Sequence, residues 1–322
     1  MSAPSTITLQ CPNLSFYISR HQATIDTLTL DDLPGTWTST RCETRPGPQF
    51  VLRRHTFNTP DSPTSPYSVF GAIFHYADPS CSFPLKSVVF SGLFTPFNKS
   101  LLTPGATNSN FHLKHTWIHF YRAETAMKTW ENAHLSCEEL GNSTGKNYPV
   151  YTAGKSAPCL ESLNLSFWEF QLFRLEKRRS QQPSLLLGDL HTDQKKGQKY
   201  RPTSYQPFHL TKYKTKHHTM MTRLLHNSSP DAPPHLKTQL HIPLTSASLM
   251  GTWHSVRCEV RPHTLFLIRK IKFLHGNQWE ATFTFFFDHL CSNSHFSVDV
   301  SGRYIKGTKC SLKVYLLPRS VH

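Results

Sequence analysis

The chain carries one twelve-residue motif twice. GTWTSTRCETRP occupies residues 35–46 and GTWHSVRCEVRP occupies residues 251–262, with nine of the twelve positions identical. After an insertion rich in Pro and Ser in the first copy, the two copies return to register, so that Cys81 corresponds to Cys291. A match that resumes on the far side of an insertion is typical of a duplicated structural unit. The length of 322 residues agrees with about two domains.

The two copies differ in length. The sequence predicts a first domain over residues 1–226, which includes a basic connecting segment, a Pro- and His-rich linker over 227–242, and a second domain over 243–322. Only twenty residues follow Gly302, whereas the first copy continues far beyond the corresponding Gly92. The second copy is therefore expected to be an incomplete version of the first, or to close by other means.

Alternation of apolar and polar residues predicts strands in both copies. The clearest case is WEATFTFFFDHLC, in which Phe283, Phe285 and Phe287 fall on one face of a strand. Thr282 and Thr284 fall on the opposite face. The same alternation predicts strands for QFVLRRHTF, LFLIRKIKFL, SFPLKSVVFSGLF and HFSVDVSGRYIKG.

One helix is predicted in the first copy, over about residues 122–140. Ala126, Trp130, Ala133 and Cys137 recur at spacings of four, three and four, so they share one helix face. Each full domain is therefore expected to be mainly β with one helix (α+β). Its antiparallel strands are expected to close into a barrel or half-barrel, because closure removes exposed sheet edges.

Two interpretations of the phenylalanine-rich faces remain open. The rings could fill a core, which is the default for protein interiors, or they could line the apolar cavity of a wide barrel. In the second interpretation the lipid-binding candidates are Phe283, Phe285, Phe287 and Trp279 in the second copy and Ile73 in the first. The Gly-x-Trp sequence also resembles a motif near the start of lipocalins, so a carrier of an apolar small molecule is one candidate function.

The cysteines favour disulfides. None of the eight forms a C-x-x-C pair, which disfavours a zinc ribbon or a thioredoxin-like site. Cys42 and Cys81 recur as Cys258 and Cys291, and this recurrence favours one disulfide in each copy over buried free thiols. Each would close a long loop and contribute roughly 3–4 kcal/mol in the chain-entropy model.

Two observations favour an extracellular or cell-surface protein. Disulfides persist in oxidising compartments, and acceptor sequences for N-linked glycosylation occur five times. The acceptor residues are Asn13, Asn98, Asn142, Asn164 and Asn227. No signal peptide and no apolar run long enough for a transmembrane helix are readable in the sequence.

Positive charge is concentrated in the segment that follows the first copy. The formal net charge is +15, and residues 174–223 carry twelve Lys and Arg against three acidic residues. Such a segment is either a solvated basic surface or a contact for a cell-surface polyanion. No nucleic-acid-binding module accompanies it. The histidines of the linker lack the fixed spacing of metal ligands, so no metal or cofactor is predicted.

The sequence shows none of the common catalytic motifs and does not predict an enzyme. It lacks G-x-S-x-G, H-E-x-x-H and the P-loop pattern. Glu43 with Arg45, and Glu259 with Arg261, place opposite charges two residues apart on one face of a strand. These duplicated pairs are predicted to have a structural role.

The motifs resemble those of the APCDD proteins, the adenomatosis-polyposis-coli-down-regulated antagonists of Wnt signalling. The repeat G-x-W-x-S-x-x-C-E-x-R-P and the strand WEATFTFFFDHLC, with its D-x-x-C ending, are similar to the domain of that family. The connector LLLGDLHTDQKKGQKYRPTSYQPF, residues 185–208, resembles the segment between its repeats. The resemblance extends over about residues 10–305.

This resemblance implies a secreted or type I membrane glycoprotein with two β-rich domains. It implies inhibition of Wnt signalling by contact with Wnt proteins and an LRP-type co-receptor. It also implies an apolar cavity for a lipid, such as the acyl chain of Wnts, and a third disulfide, Cys137–Cys159. On the same comparison Cys11 and Cys310 lack partners, and the tail does not resemble the family, whose members end in a membrane anchor.

Overall fold

The computed structural model describes most of both copies. The described residues are 25–45, 49–154, 157–178, 182–190, 201–214, 219–235, 249–255, 257–261 and 265–305. Cys11, Asn13 and Cys310 lie outside these ranges.

Within the described residues, eleven antiparallel strands make up the first sheet. They are β1 (Ile25–Thr27), β2 (Gly35–Ser39), β3 (Glu43–Arg45), β4 (Gln49–Phe57), β5 (Tyr67–Tyr76), β6 (Pro84–Lys99), β7 (Thr107–Phe120), β8 (Asn147–Thr152), β9 (Leu172–Arg178), β10 (Ser184–Leu187) and β11 (Leu210–Lys212).

Eight of these strands form a closed barrel. The order is β9-β10-β11-β2-β4-β5-β6-β7, and β7 returns to pair with β9 at Thr107 and Phe173. The strands β1, β3 and β8 extend the sheet outside this ring. The predicted mainly β, barrel-forming architecture is therefore confirmed.

Aromatic side chains fill the interior of this barrel. Phe90 lies at the centre of the cluster, with its ring centroid 4.6 Å from that of Phe167 and 5.6 Å from that of Phe170. Phe170 is fully buried and also stacks on Phe111 at 4.7 Å. It reaches the interior from a short 3-10 turn at Trp168–Gln171, which directly precedes β9. In the first copy the phenylalanines therefore form a packed core, the simpler of the two interpretations of the sequence.

In the described part of the second copy, five strands make up the second sheet. They are β12 (Gly251–His254), β13 (Glu259–Arg261), β14 (Leu265–Leu274), β15 (Gln278–Phe286) and β16 (Ser294–Arg303).

The second sheet reproduces one part of the first. Its order β12-β14-β15-β16, with β13 beside β14, matches that of β2-β4-β5-β6 with β3 beside β4. Local details recur as well, since Cys81 and Cys291 both have φ 51° and Gly35 and Gly251 have φ 120° and 119°. The duplicated sequence therefore specifies the same half-barrel twice.

As far as its described residues extend, the second half-barrel is open. Among the described residues of the second copy, no strand corresponds to β7, β9, β10 or β11. Trp37 is completely buried, whereas the corresponding Trp253 is 54% exposed, although each indole Nε1 donates to a leucine carbonyl at 2.8 Å. The local geometry is thus the same, and only the closing strands differ.

The two sheets contact each other through the outer side of β14. Phe266 and Ile268 are buried in a cluster that includes Leu172 and Leu186 of the barrel. Arg257 donates to the carbonyl of Pro207 at 3.0 Å. Because the contact uses the outer side, it leaves the concave side of the second sheet uncovered by these residues.

The predicted helix is present but shorter than expected. Helix α1 spans Ala123–Ala133, and the chain then continues as tight turns, in which Ser136 N donates to Ala133 O and Leu140 N donates to Cys137 O. Cys137 thus lies beyond the helix, where the turn brings it to Cys159. Two short helices, α2 (Ala157–Ser162) and α3 (Met220–His226), were not predicted.

Residues 219–235 lie against the outer face of the barrel. The Arg54 guanidinium donates to the carbonyls of Leu225, His226 and Ser228 at the end of α3. The Tyr76 hydroxyl donates to the carbonyl of Pro234 at 2.7 Å. The described part of the predicted linker, 227–235, is therefore attached to the barrel.

Limited proteolysis of the disulfide-intact chain is expected to cut the second sheet first. Its strands bury less apolar surface than those of the barrel, and its open edges leave backbone groups accessible to local opening. Mass spectrometry of the earliest fragments should therefore locate cleavage within 251–305 before any cleavage within 49–154. Equal resistance of the two regions would contradict this expectation.

Candidate functional site

Three disulfides are present among the described residues, and they are the pairs that the sequence and the family resemblance indicated. Cys42–Cys81 and Cys258–Cys291 occupy equivalent places, and Cys137–Cys159 closes the turn after α1. Disulfides of this number are typical of proteins from oxidising compartments.

The concave face of the second sheet is apolar and partly exposed. Trp279, Phe283 and Phe285 lie on this face of β15, at alternate positions. The Phe285 ring stacks on that of Phe296 in β16 at 4.6 Å. Exposed fractions on β16 are 47% for Phe296 and 41% for Val298. The corresponding face of the first copy is the filled barrel interior, so the second copy presents as surface what the first copy buries.

The structure brings only some of the predicted lipid-binding residues together. Phe283, Phe285 and Trp279 share the concave face, whereas Phe287 lies just beyond the end of β15 and packs against His295 at 4.1 Å. Ile73 is buried inside the barrel of the first copy, because it occupies the position equivalent to Phe283 in a half-barrel that has closed.

The opposite face of the second sheet is polar outside the apolar contact that Phe266, Ile268 and Phe286 make with the barrel. Thr282 donates to the Asp299 carboxylate at 2.6 Å, and Ser297 donates to Thr284 at 3.1 Å. Lys270, also on this side, lines a surface depression with Thr282 and Asp299. Phe283 and Phe285 thus lie on one face of β15, and Thr282 and Thr284 lie on the other, as the alternation in the sequence predicts.

A buried ionic cluster occupies one end of the barrel. The Arg53 guanidinium is fully buried and lies 2.9 Å from the Glu43 carboxylate, which accepts a further hydrogen bond from Ser39 at 2.6 Å. Glu169, from the 3-10 turn, lies 3.8 Å from Arg53 and 3.6 Å from Arg45. The first copy therefore balances two arginines with two carboxylates.

Polar groups from the connector and from the barrel wall surround this cluster. Gln206 accepts from Arg45 at 3.2 Å and donates to Glu169 at 3.4 Å. His55 is fully buried beside the cluster, and neither of its ring nitrogens has a hydrogen-bond partner among the described residues. Burial, reinforced by the neighbouring arginines, holds the pKa of His55 well below its usual value, so the ring is neutral.

The second copy contains half of the same cluster. Ser255 donates to Glu259 at 2.6 Å, and the Arg269 guanidinium donates to the same carboxylate at 2.6 Å. Arg261 lies 2.7 Å from Glu259. No counterpart of Glu169 appears among the described residues of this copy, and the Arg261 and Arg269 side chains are 47% and 39% exposed.

The sequence predicted the duplicated Glu-Arg pairs but assigned Glu43 its weaker partner. Arg45 lies 4.0 Å from Glu43, whereas Arg53, eight residues further along, makes the close contact. One signal for the rest of the cluster was present, since Glu169 is the only charged residue within the aromatic run SFWEFQLF.

The glycosylation candidates within the described residues all lie on the surface. Asn98, Asn142, Asn164 and Asn227 are exposed. Glycosylation at these positions stays a prediction.

Several basic residues of the segment 174–223 have internal partners. Arg174 is buried 3.3 Å from Glu176, Arg201 donates to Asn110 at 2.7 Å, and Lys212 lies over the ring of Trp37. These contacts favour a structural role for part of the segment, and polyanion binding stays a prediction.

The described residues contain neither a helix suited to span a membrane nor a cluster suited to bind a metal. Within them, no helix has both the length and the hydrophobicity that crossing a membrane requires. The same ranges hold no group of three or more His, Cys, Asp or Glu arranged to bind a metal ion.

A comparison with protein families identifies the family to which the chain belongs. The family model described as "Adenomatosis polyposis coli down-regulated 1" matches residues 11–237 and 239–313. Membership of this family suggests a role related to Wnt signalling. The match spans most of the chain and includes both copies of the repeated motif. The chain therefore belongs to the adenomatosis polyposis coli down-regulated 1 family.

Proposed function

We propose that this chain is an extracellular binding protein that antagonises Wnt signalling, and that its open aromatic face accepts the acyl chain of a lipidated ligand. The observation that carries the proposal is the row formed by Trp279, Phe283 and Phe285, displayed on a concave sheet that no described strand covers. Exposed apolar patches of this kind mark binding sites in soluble proteins.

The chemistry of the face suits an acyl chain. Phe296, Val298 and Val300 continue the apolar surface from β15 onto β16, so a linear hydrocarbon can contact both strands. Each buried methylene contributes about 0.8 kcal/mol. A C16-like chain would gain about 13 kcal/mol in total, which gives micromolar affinity when the association cost lies near the lower end of about 4–15 kcal/mol.

Fatty-acid binding tests the face directly. Phe285→Asp is expected to abolish uptake of a fluorescent C16 fatty acid by the full chain, because it places an unpaired charge in the apolar surface. Thr284→Asp is the matched control: it adds the same charge to the adjacent position on the polar face, and uptake should stay at the wild-type level. Equal uptake by both variants, or no uptake by the wild type, would remove the acyl-binding part of the proposal.

Signalling is tested separately with Wnt itself. The wild-type protein is expected to capture acylated Wnt more strongly than non-acylated Wnt and to reduce the response of a Wnt reporter cell line. Phe285→Asp should lose both effects, and Thr284→Asp should keep them. Co-precipitation with the extracellular part of an LRP-type co-receptor tests that second contact. A lipid carrier without a signalling role would bind the fatty acid yet leave the reporter response unchanged.

A further inference from the structure

We infer that the second sheet is also a docking site for an extended segment of a partner protein, one that carries a carboxylate flanked by aromatic side chains. The contact centres on Arg261 and Arg269, at one end of the concave face. The inference rests on the proposed function, in which the lipidated ligand is a protein. It adds that the second sheet also recognises a segment of that ligand's polypeptide.

The barrel of the first copy shows what completes such a half-barrel. There the segment that carries Glu169 and Phe170 enters the interior, where the carboxylate lies near Arg45 and Arg53 while the Phe170 ring packs among the phenylalanines. The same segment then continues as β9, which pairs with β7 and β10. An acidic residue, an adjacent aromatic ring and an extended backbone thus act together in one stretch of chain.

The second copy has the receiving half of this arrangement. Arg261 and Arg269 share the single carboxylate of Glu259, so the cluster has an excess of one positive charge. Partial burial acts to raise the pKa of Glu259, but hydrogen bonds from Ser255 and Arg269 lower it overall, so the carboxylate is ionised at neutral pH. The exposed guanidinium groups therefore remain available to a second carboxylate, as in the barrel.

The backbone of the second sheet can also receive a strand. Within the described residues, β12 and β16 each pair on one side only. The corresponding strands β2 and β6 are paired on both sides, β2 with β11 and β6 with β7, so β9 itself lies at neither edge and the comparison with the barrel concerns the carboxylate and the ring. Strand addition to an open edge supplies affinity through main-chain hydrogen bonds and specificity through alternate side chains.

Charge argues against a second copy of this chain as the occupant. Two facing copies of the open sheet would bring Arg261 and Arg269 of each toward those of the other, and like charges in an interface are unfavourable. In a second molecule of this chain, the aromatic and acidic stretch around Glu169 would already be buried inside its own barrel. An acidic segment of another protein would bring the negative charge that the site lacks, and it would not be buried already inside a barrel.

A peptide from the chain itself serves as the probe. A fluorescent peptide with the sequence of residues 164–178 is expected to bind the full-length protein, and its Glu169→Gln version should bind about tenfold more weakly or worse, because a charge-assisted contact is lost. This control leaves the protein unchanged, so folding does not affect its outcome. Equal binding of the two peptides would overturn the inference.

A charge exchange locates the contact. Arg269→Glu in the protein should abolish binding of the wild-type peptide, and the Glu169→Arg peptide should restore it. Lys270→Glu, one residue away on the polar face, should leave binding within about twofold of the wild type, since it does not face the peptide. The inference would be overturned if the Glu169→Arg peptide failed to bind the Arg269→Glu protein. It would also be overturned if Lys270→Glu abolished binding while Arg269→Glu did not, because the peptide would then bind elsewhere.

The two proposals fail in different ways. If the peptide binds but the fatty acid does not, the acyl-binding part of the proposed function is wrong and the docking site stands. If the fatty acid binds but the peptide does not, the docking site is wrong and the acyl-binding part of the proposed function stands. Sedimentation of the chain alone checks the other occupant: a stable dimer that the peptide cannot dissociate would show that a second copy covers the face and would overturn the inference.

Discussion

Replacing Arg53 by methionine is expected to lower the free energy of unfolding of the barrel by about 3–5 kcal/mol, since it removes the close ionic partner of the buried Glu43 carboxylate. Glu43 is 1% exposed and Arg53 is completely buried, so water cannot replace the lost contact. The guanidinium also donates to the carbonyl of Phe208 at 3.1 Å, which ties the connector to the barrel. Denaturant unfolding of the full chain, followed through hydrogen exchange of the β4 and β5 amides, measures the effect.

The second copy provides the matched control. Arg269→Met removes the same residue from the same local geometry, but there the arginine is 39% exposed and Arg261 still pairs with the carboxylate. A partly solvated pair of this kind contributes about 1 kcal/mol or less. Similar losses at Arg53 and Arg269 would show that the burial of the cluster does not determine its contribution.

Gly71→Ala is expected to destabilise the barrel by about 1–3 kcal/mol or more through overpacking. Gly71 lies opposite Phe90 on the neighbouring strand, and a Cβ atom at this position would overlap the Phe90 ring. The second copy has solved the same packing differently, since Ala281 there lies opposite Val300.

The exchange suggested by the second copy tests this explanation. The double variant Gly71→Ala with Phe90→Val should be more stable than the sum of the two single effects predicts, because each change relieves the other. Double-mutant analysis of the unfolding free energies gives this coupling, expected at about 0.5–3 kcal/mol. A coupling of zero would mean that the Phe90 ring moves aside without strain.

The sequence was sufficient for the features that depend on nearby residues. The alternation in β15 assigned Phe283 and Phe285 to one face and Thr282 and Thr284 to the other, and the repeated cysteines indicated two disulfides. Each of these features follows from the period of a strand or from direct comparison of the two copies.

Closure of the barrel could not be predicted in detail. It depends on contacts such as Trp37 with Lys212 and Thr107 with Phe173, whose partners are far apart in sequence and carry no shared motif. The partnership of Glu43 with Arg53 was missed for a related reason, because the two residues lie on different strands and meet only through the pairing of β3 with β4. Local periodicity contains no information on these choices.

The closure of the barrel also determines when it can form during synthesis. Trp37 in β2 emerges from the ribosome long before Lys212, its partner in β11. The sheet of β2, β4, β5 and β6 therefore stays open while the remaining strands are synthesised. Pairings of such high sequence separation are slow to form, and a waiting apolar face is prone to aggregation. The second sheet therefore has, in the folded protein, the open arrangement that the first sheet has only in the nascent chain. Chaperones that bind the open first sheet during synthesis can be sought by testing which proteins bind the second sheet.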